Sequence, residues 1–168
     1  MKPEQLSRQL RQGTGRFLGH RRGVVGLSLA AVGSLSVVTL YQMGIIERVP
    51  EPPLPYLDAD DVDAAPEAYE VLAMPDAVLG IASYALTMSL AGAGGEDRAN
   101  ERPWIPLALA AKVAFDAFEA GRLTLKQWTE HRAFCMWCLL AAGSTFATVP
   151  LVVPEARAAV RRLSRGSS

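Results

Sequence analysis

The stretch HRAFCMWCLL, residues 131–140, holds the two cysteines of the chain, Cys135 and Cys138, three positions apart. Three residues of helix bring both side chains to one face, close enough for a disulfide with modest adjustment. A charged segment gives way to an apolar one here, so the pair is expected in the first two turns of a helix. The positive end of the helix dipole, with His131 and Arg132 alongside, then favours a thiolate. Thiolates are the nucleophiles and the good leaving groups of disulfide exchange, so the chemistry to expect is a dithiol–disulfide interconversion. The plain alternative is two small buried hydrophobes. Two cysteines do not complete a structural zinc site, and no Cys or His set with suitable spacing accompanies them, so no metal is expected without a second copy of the chain.

The elements that must position this pair are apolar and long. Gly23 to Ile46, Ala77 to Gly95 and Ala133 to Pro154 carry no charge, and each approaches the roughly 20 residues of helix that cross a bilayer. A fourth stretch, Pro103 to Gly121, opens with Trp104, a residue favoured at the interface, but contains Lys112, Asp116 and Glu119. Lys112 falls mid-span and requires a partner, which Asp116 one turn on can supply; a helix lying on the membrane surface is the alternative. The expected fold is all-α: an integral membrane four-helix bundle with spans at about 23–46, 77–95, 103–121 and 133–154. A basic arm, 1–22, precedes this 23–154 domain and a basic tail, 155–168, follows it.

A formal net charge of zero hides a sorted distribution. The arm holds Lys2, Arg8, Arg11, Arg16, Arg21 and Arg22 against Glu4, and the tail holds Arg157, Arg161, Arg162 and Arg165. The positive-inside rule puts both termini in the cytoplasm. Glu47 to Asp76 has nine acids against Arg48 alone, and is expected outside. Arg122 to Arg132, also outside in this topology, fits the rule poorly. The arm is expected to lack regular structure and to meet anionic lipid rather than nucleic acid. Gly23 to Ile46 reads as a permanent anchor, its apolar core being too long for a cleaved signal peptide. Six prolines exclude a regular helix from the first half of the outer loop, whereas Pro66 followed by EAYEVLA reads as a short half-helix closed by Pro75. Cap over the bundle and acidic linker both remain open for this loop.

A disulfide at the rim of a membrane bundle needs an electron acceptor, and a lipid-soluble quinone can reach it from the bilayer. Phe134, Trp137 and Phe146 are candidate walls for its ring, or ordinary core and lipid-facing aromatics. The segments FCMWCLLAAGST and DDVDAAPEAYEVLAMPDAVLGIASYAL, in this order from the C-terminal end, resemble the CxxC helix and the loop end, half-helix and following span of the vitamin K epoxide reductase family. The resemblance covers Gly23 to about Pro154. It implies a bacterial inner-membrane, multi-pass protein that forms disulfides outside the cell and passes electrons to menaquinone or ubiquinone. Cys138 resembles the family cysteine beside the quinone, and Cys135 the one that exchanges with an upstream thiol, the electrons coming from a thioredoxin-like partner. Family members normally carry two further loop cysteines; this chain has Ala59 where the second would stand, and Ala65 where a hydroxyl or amide often helps bind quinone. Two further readings are a non-enzymatic scaffold that binds a partner through its acidic loop, and, from Lys112, Asp116 and Glu119 alone, a transporter or channel.

Overall fold

The structure, a computed structural model, describes residues 2–166; Met1 of the predicted arm and the last two residues of the predicted tail lie outside the described residues. The helices are α1 (Pro3–Gln12), α2 (Leu18–Gln42), α3 (Ala59–Asp63), α4 (Asp76–Gly92), α5 (Arg98–Glu101), α6 (Trp104–Lys126) and α7 (Met136–Gly166). Among the described residues there is no strand, only an isolated bridge between Leu57 and Phe134. The long helices pack side by side, α2 against α4 and α7, and α6 against α7 and α4.

α2 is the central helix because its small and apolar residues recur every three or four positions: Val24, Ser28, Ala31, Leu35 and Val38 are buried along one stripe. Small residues let helices approach closely. A Cβ on Gly80 of α4 would stand only 2.5 Å from Leu35 Cδ1, so the α4 backbone seats directly on that leucine.

By length and composition α2 and α7 can cross a membrane. Only 33% and 28% of their apolar windows are buried, which leaves most of each helix surface outward and apolar. α4 has 17 residues, about 26 Å of helix at 1.5 Å per residue, a little short of the bilayer core. α6 carries the charges noted above, and the structure places Lys112 Nζ 2.6 Å from Asp116 Oδ1 and 2.7 Å from Ser83 Oγ of α4. The charge anticipated at mid-helix is thus paired one turn on and turned toward a neighbouring helix.

Two local expectations are corrected, for the arm and for the half-helix. The arm is structured: it forms α1 and the first turn of α2, held because Arg22 donates to the carbonyls of Leu10 and Gly13, and Arg21 to those of Ala91, Ala93, Gly94 and Gly95. α7 runs on through Pro150 and Pro154 into the basic tail. The half-helix is a single 3-10 turn, Pro66–Tyr69, because Leu72 and Ala73 take left-handed backbone (φ 57° and 52°) and turn the chain toward Pro75. Ahead of it stands α3, whose N-terminus is capped by the Asp58 side chain accepting from the Asp61 amide at 3.0 Å.

Candidate functional site at the start of the last helix

Cys135 occupies the cap position of α7 rather than its first turn. Its carbonyl accepts from Leu139 N at 3.0 Å, and its Sγ accepts from the Cys138 amide at 3.2 Å, as a serine or aspartate cap would. Cys138 lies one turn in. Both thiols are free, Cys135 fully buried and Cys138 partly exposed.

The proline-rich segment is what buries Cys135. Trp137 Nε1 donates to Pro50 O at 2.9 Å, and Phe134 N donates to Tyr56 O at 2.8 Å. Asp58 N returns a bond to Phe134 O at 3.1 Å. Glu51 bridges two helix starts, accepting from Ala59 N of α3 at 2.5 Å and from Met136 N of α7 at 3.4 Å. A carboxylate between two helix N-termini is electrostatically well placed. The loop is therefore a cap over this end of the helices, with Val49, Ala59, Val62, Ala65 and Ala68 buried beneath it.

Cys138 faces the other way, into a cavity of about 220 Å3 between the cap, α4, α6 and α7. Leu35, Ala65, Asp76, Tyr84, Ala141 and Thr145 are among its lining residues. Asp76 accepts from Gln42 Nε2 at 2.8 Å, and Tyr84 donates to Ala141 O at 3.0 Å. Most of the wall's surface is apolar, which suits a flat ring, while Asp63, Asp116, Glu119 and Lys126 bring charge to its edges.

None of Phe134, Trp137 and Phe146 lines this cavity. Phe134 precedes α7 and stacks on Trp128 at 5.6 Å, Trp137 is drawn outward to Pro50, and Phe146 is 46% exposed on the α7 surface. The walls of the cavity come from the cap, α4, α6 and small residues of α7. Ala65, singled out as a departure from the family pattern, does line the cavity; Ala59 is buried under Glu51.

One residue escaped the sequence reading. Asp63, at the end of α3, is 3% exposed, and Cys138 Sγ donates to its Oδ1 at 3.5 Å. Burial raises this carboxyl to about 6, against the downward pull of the two neighbouring thiols. A signal was present: with Asp58 as cap, Ala59, Val62 and Asp63 fall at i, i+3 and i+4 of one turn, so the acid shares the buried face. Asp63 and the two sulfurs fall one ligand short of a structural zinc set. Glu67, Glu130 and His131 bring three oxygen and nitrogen donors within 4.8 Å of one another farther out, a grouping invisible to Cys and His spacing.

Neither a curated protein nor a solved structure matches the chain. The family model for the vitamin K epoxide reductase family matches residues 23–153, the segment that contains α4, α6, the cap and the cysteine pair. With that match over most of its length, the chain belongs to the vitamin K epoxide reductase family, membrane oxidoreductases of the thiol–disulfide type that are linked to quinones and work with thiol partners.

Proposed function

We propose that this protein passes electrons from an extracytoplasmic thiol protein, thioredoxin-like in kind, through Cys135 and Cys138 to a membrane menaquinone or ubiquinone. In this reading α2, α4, α6 and α7 all span the bacterial inner membrane, with both termini in the cytoplasm and the acidic cap outside. The exposed Leu86 of α4 and Phe115 and Phe118 of α6, together with the Lys112–Asp116 pair, support spans for the two less apolar helices. The observation that carries the reading is the division of labour between the sulfurs: Cys138 opens on an apolar cavity and Cys135 lies toward the cap.

A quinone bound there would supply an acceptor for two electrons and two protons. The cavity is of a size for a ring head group rather than a prenyl tail, and Leu35, Ala141 and Thr145 would hold it, with Tyr84 and Asp76 as its polar neighbours. A partner thiolate attacks Cys135 sulfur, the Cys135–Cys138 bond breaks, and a second partner thiol resolves the mixed disulfide, leaving both chain cysteines as thiols and the partner oxidised. Reclosure of the pair releases two electrons and two protons. In the test, purified protein receives a dithiol and a water-soluble quinone, and quinone reduction is followed optically. Turnover that disappears in Cys138→Ser is expected; wild-type protein no faster than that variant rejects the reading.

The complete burial of Cys135 under a cap without cysteines favours a second reading, a membrane scaffold that engages a partner through Glu67, Glu70 and the other cap acids. A Cys135→Ser, Cys138→Ser double variant that keeps full function in cells would select the scaffold.

A further inference from the structure

A redox pair must move protons as well as electrons, because two thiols carry two protons and a disulfide carries none. Cys138 Sγ has a single side-chain acceptor, Asp63 Oδ1, at 3.5 Å. The other carboxylate oxygen, Asp63 Oδ2, is buried and has no hydrogen-bond partner. Buried acceptors are nearly always satisfied, so an orphaned oxygen on a group this enclosed calls for a reason. Protonating the carboxyl removes the charge that burial penalises. An acid that stands against a reacting sulfur, and is poised between charged and neutral, has that reason.

We propose that Asp63 is the proton carrier of the cysteine pair, taking the Cys138 thiol proton as the disulfide closes and returning it as the disulfide opens. The inference rests on the redox reading above. On closure the two S–H bonds break and the S–S bond forms, and the electron pair goes to the quinone. The Cys135 proton goes to the quinone as well, whose second proton comes from water while Asp63 keeps that of Cys138. Opening reverses each of these transfers.

The coupling has a measurable form. In the reduced pair, thiol donors stabilise the carboxylate, which titrates at about 6. A disulfide offers no S–H, so the oxidised pair holds the Asp63 proton to higher pH. Above about pH 6, reduction therefore takes up two electrons and one net proton instead of two, and the slope of midpoint potential against pH falls by half until the oxidised-state titration is passed. The other titratable groups around Asp63 are Glu51 of the cap, Asp76 of α4, Tyr41 of α2 and Tyr69 of the 3-10 turn. Each moves the interval along the pH axis; none creates it, because none of them bonds a sulfur.

The full chain in detergent is equilibrated with reduced and oxidised dithiothreitol at stepped pH, and the oxidised fraction is read by alkylation and gel shift. Wild type is expected to show the halved slope beginning near pH 6. Asp63→Asn should give one uniform slope, and Asp63→Glu should restore the break. Closure of the disulfide by a water-soluble quinone at neutral pH should slow about 100-fold in Asp63→Asn, the usual scale for loss of a proton-transfer group. Identical slopes in wild type and Asp63→Asn overturn the proposal, since a purely structural Asp63 would offset the potential equally at every pH. Absence of quinone reduction by wild type, with the break in slope intact, removes the functional reading and leaves the proton coupling standing.

Discussion

At the cytoplasmic end of α7, as oriented in the proposed topology, Glu155 is 3% exposed and both its oxygens accept from Arg98, at 2.8 and 2.7 Å. At the other end Asp63 is equally buried, yet one oxygen accepts only from a thiol and the second has no hydrogen-bond partner. Arg98 goes on to donate to the carbonyls of Leu90, Ala91 and Ala93, so the exposed end of α4 is closed by the same guanidinium. Gly94, at φ +78°, permits this, since a Cβ there would lie 3.1 Å from Arg98 Cβ. The first acid is locked into a fully bonded network and does nothing but hold helices together. The second is left under-bonded beside a sulfur, which is how a fold keeps a group able to change state.

The largest effect expected from this contrast is at the locked end. Arg98→Met leaves Glu155 buried without its partner and removes the side-chain donor to Leu90 O, while Ala91 O and Ala93 O keep Arg21, and should cost about 3–5 kcal/mol, the range for breaking one side of a buried ion pair. Unfolding in detergent reads it directly. A loss below about 1 kcal/mol would show that water reaches Glu155 and that the two ends are not as different as their bonding suggests.

Asp63→Asn should act in the opposite direction. The carboxyl titrates at 3.8 in the unfolded chain and at about 6 in the folded one. The folded form thus binds a proton that the unfolded form has already released. Stability is whole below about pH 4, declines as pH rises toward 6, and stays reduced above it. Holding the proton over that interval corresponds to about 3 kcal/mol. Asn cannot ionise, so it should recover about 1–3 kcal/mol at pH 8, less the cost of housing its amide, and nothing at pH 4. Equal stability of the two proteins across this range would mean that Asp63 is hydrated when charged.

How much of this contrast the sequence reveals depends on the distance over which each feature is built. Cys135 and Cys138 are neighbours on one helix, so three-residue spacing and a charge boundary suffice to find them. Lys112 and Asp116 are legible for the same reason, being one turn apart. Asp63 meets Cys138 across 75 positions of chain, and Arg98 meets Glu155 across 57, so neither pairing has a local signature. Phe134, Trp137 and Phe146 are near the cysteines in sequence, but Phe134 precedes the helix that begins at Met136, Trp137 bonds Pro50 of the cap and Phe146 is exposed on α7, so none of them lines the cavity. Apolar stretches mark the long helices, while α2 starts earlier, at Leu18, where Arg21 and Arg22 find backbone acceptors that composition does not show.

The smallest predicted effect tests the seal over Cys135. Trp137→Phe keeps most of the ring in place and deletes one hydrogen bond, Nε1 to Pro50 O, so the stability loss should be only about 1 kcal/mol. That loss falls on the cap rather than on the helices, and a cap opening about 1 kcal/mol more easily is open about five times more often. In a Cys138→Ser background, which leaves Cys135 as the single thiol, alkylation should accelerate by about this factor while the thermal midpoint of the helices barely moves. The rate matters for mechanism because, with no shuttle cysteine in the loop of this chain, a protein partner has to touch Cys135 itself. If Trp137→Phe leaves the alkylation rate unchanged, the cap does not lift at Pro50, and the partner's route to the sulfur runs instead along the cavity side past Cys138, where the exposed pair Glu67 and Glu130 would be the first groups it meets.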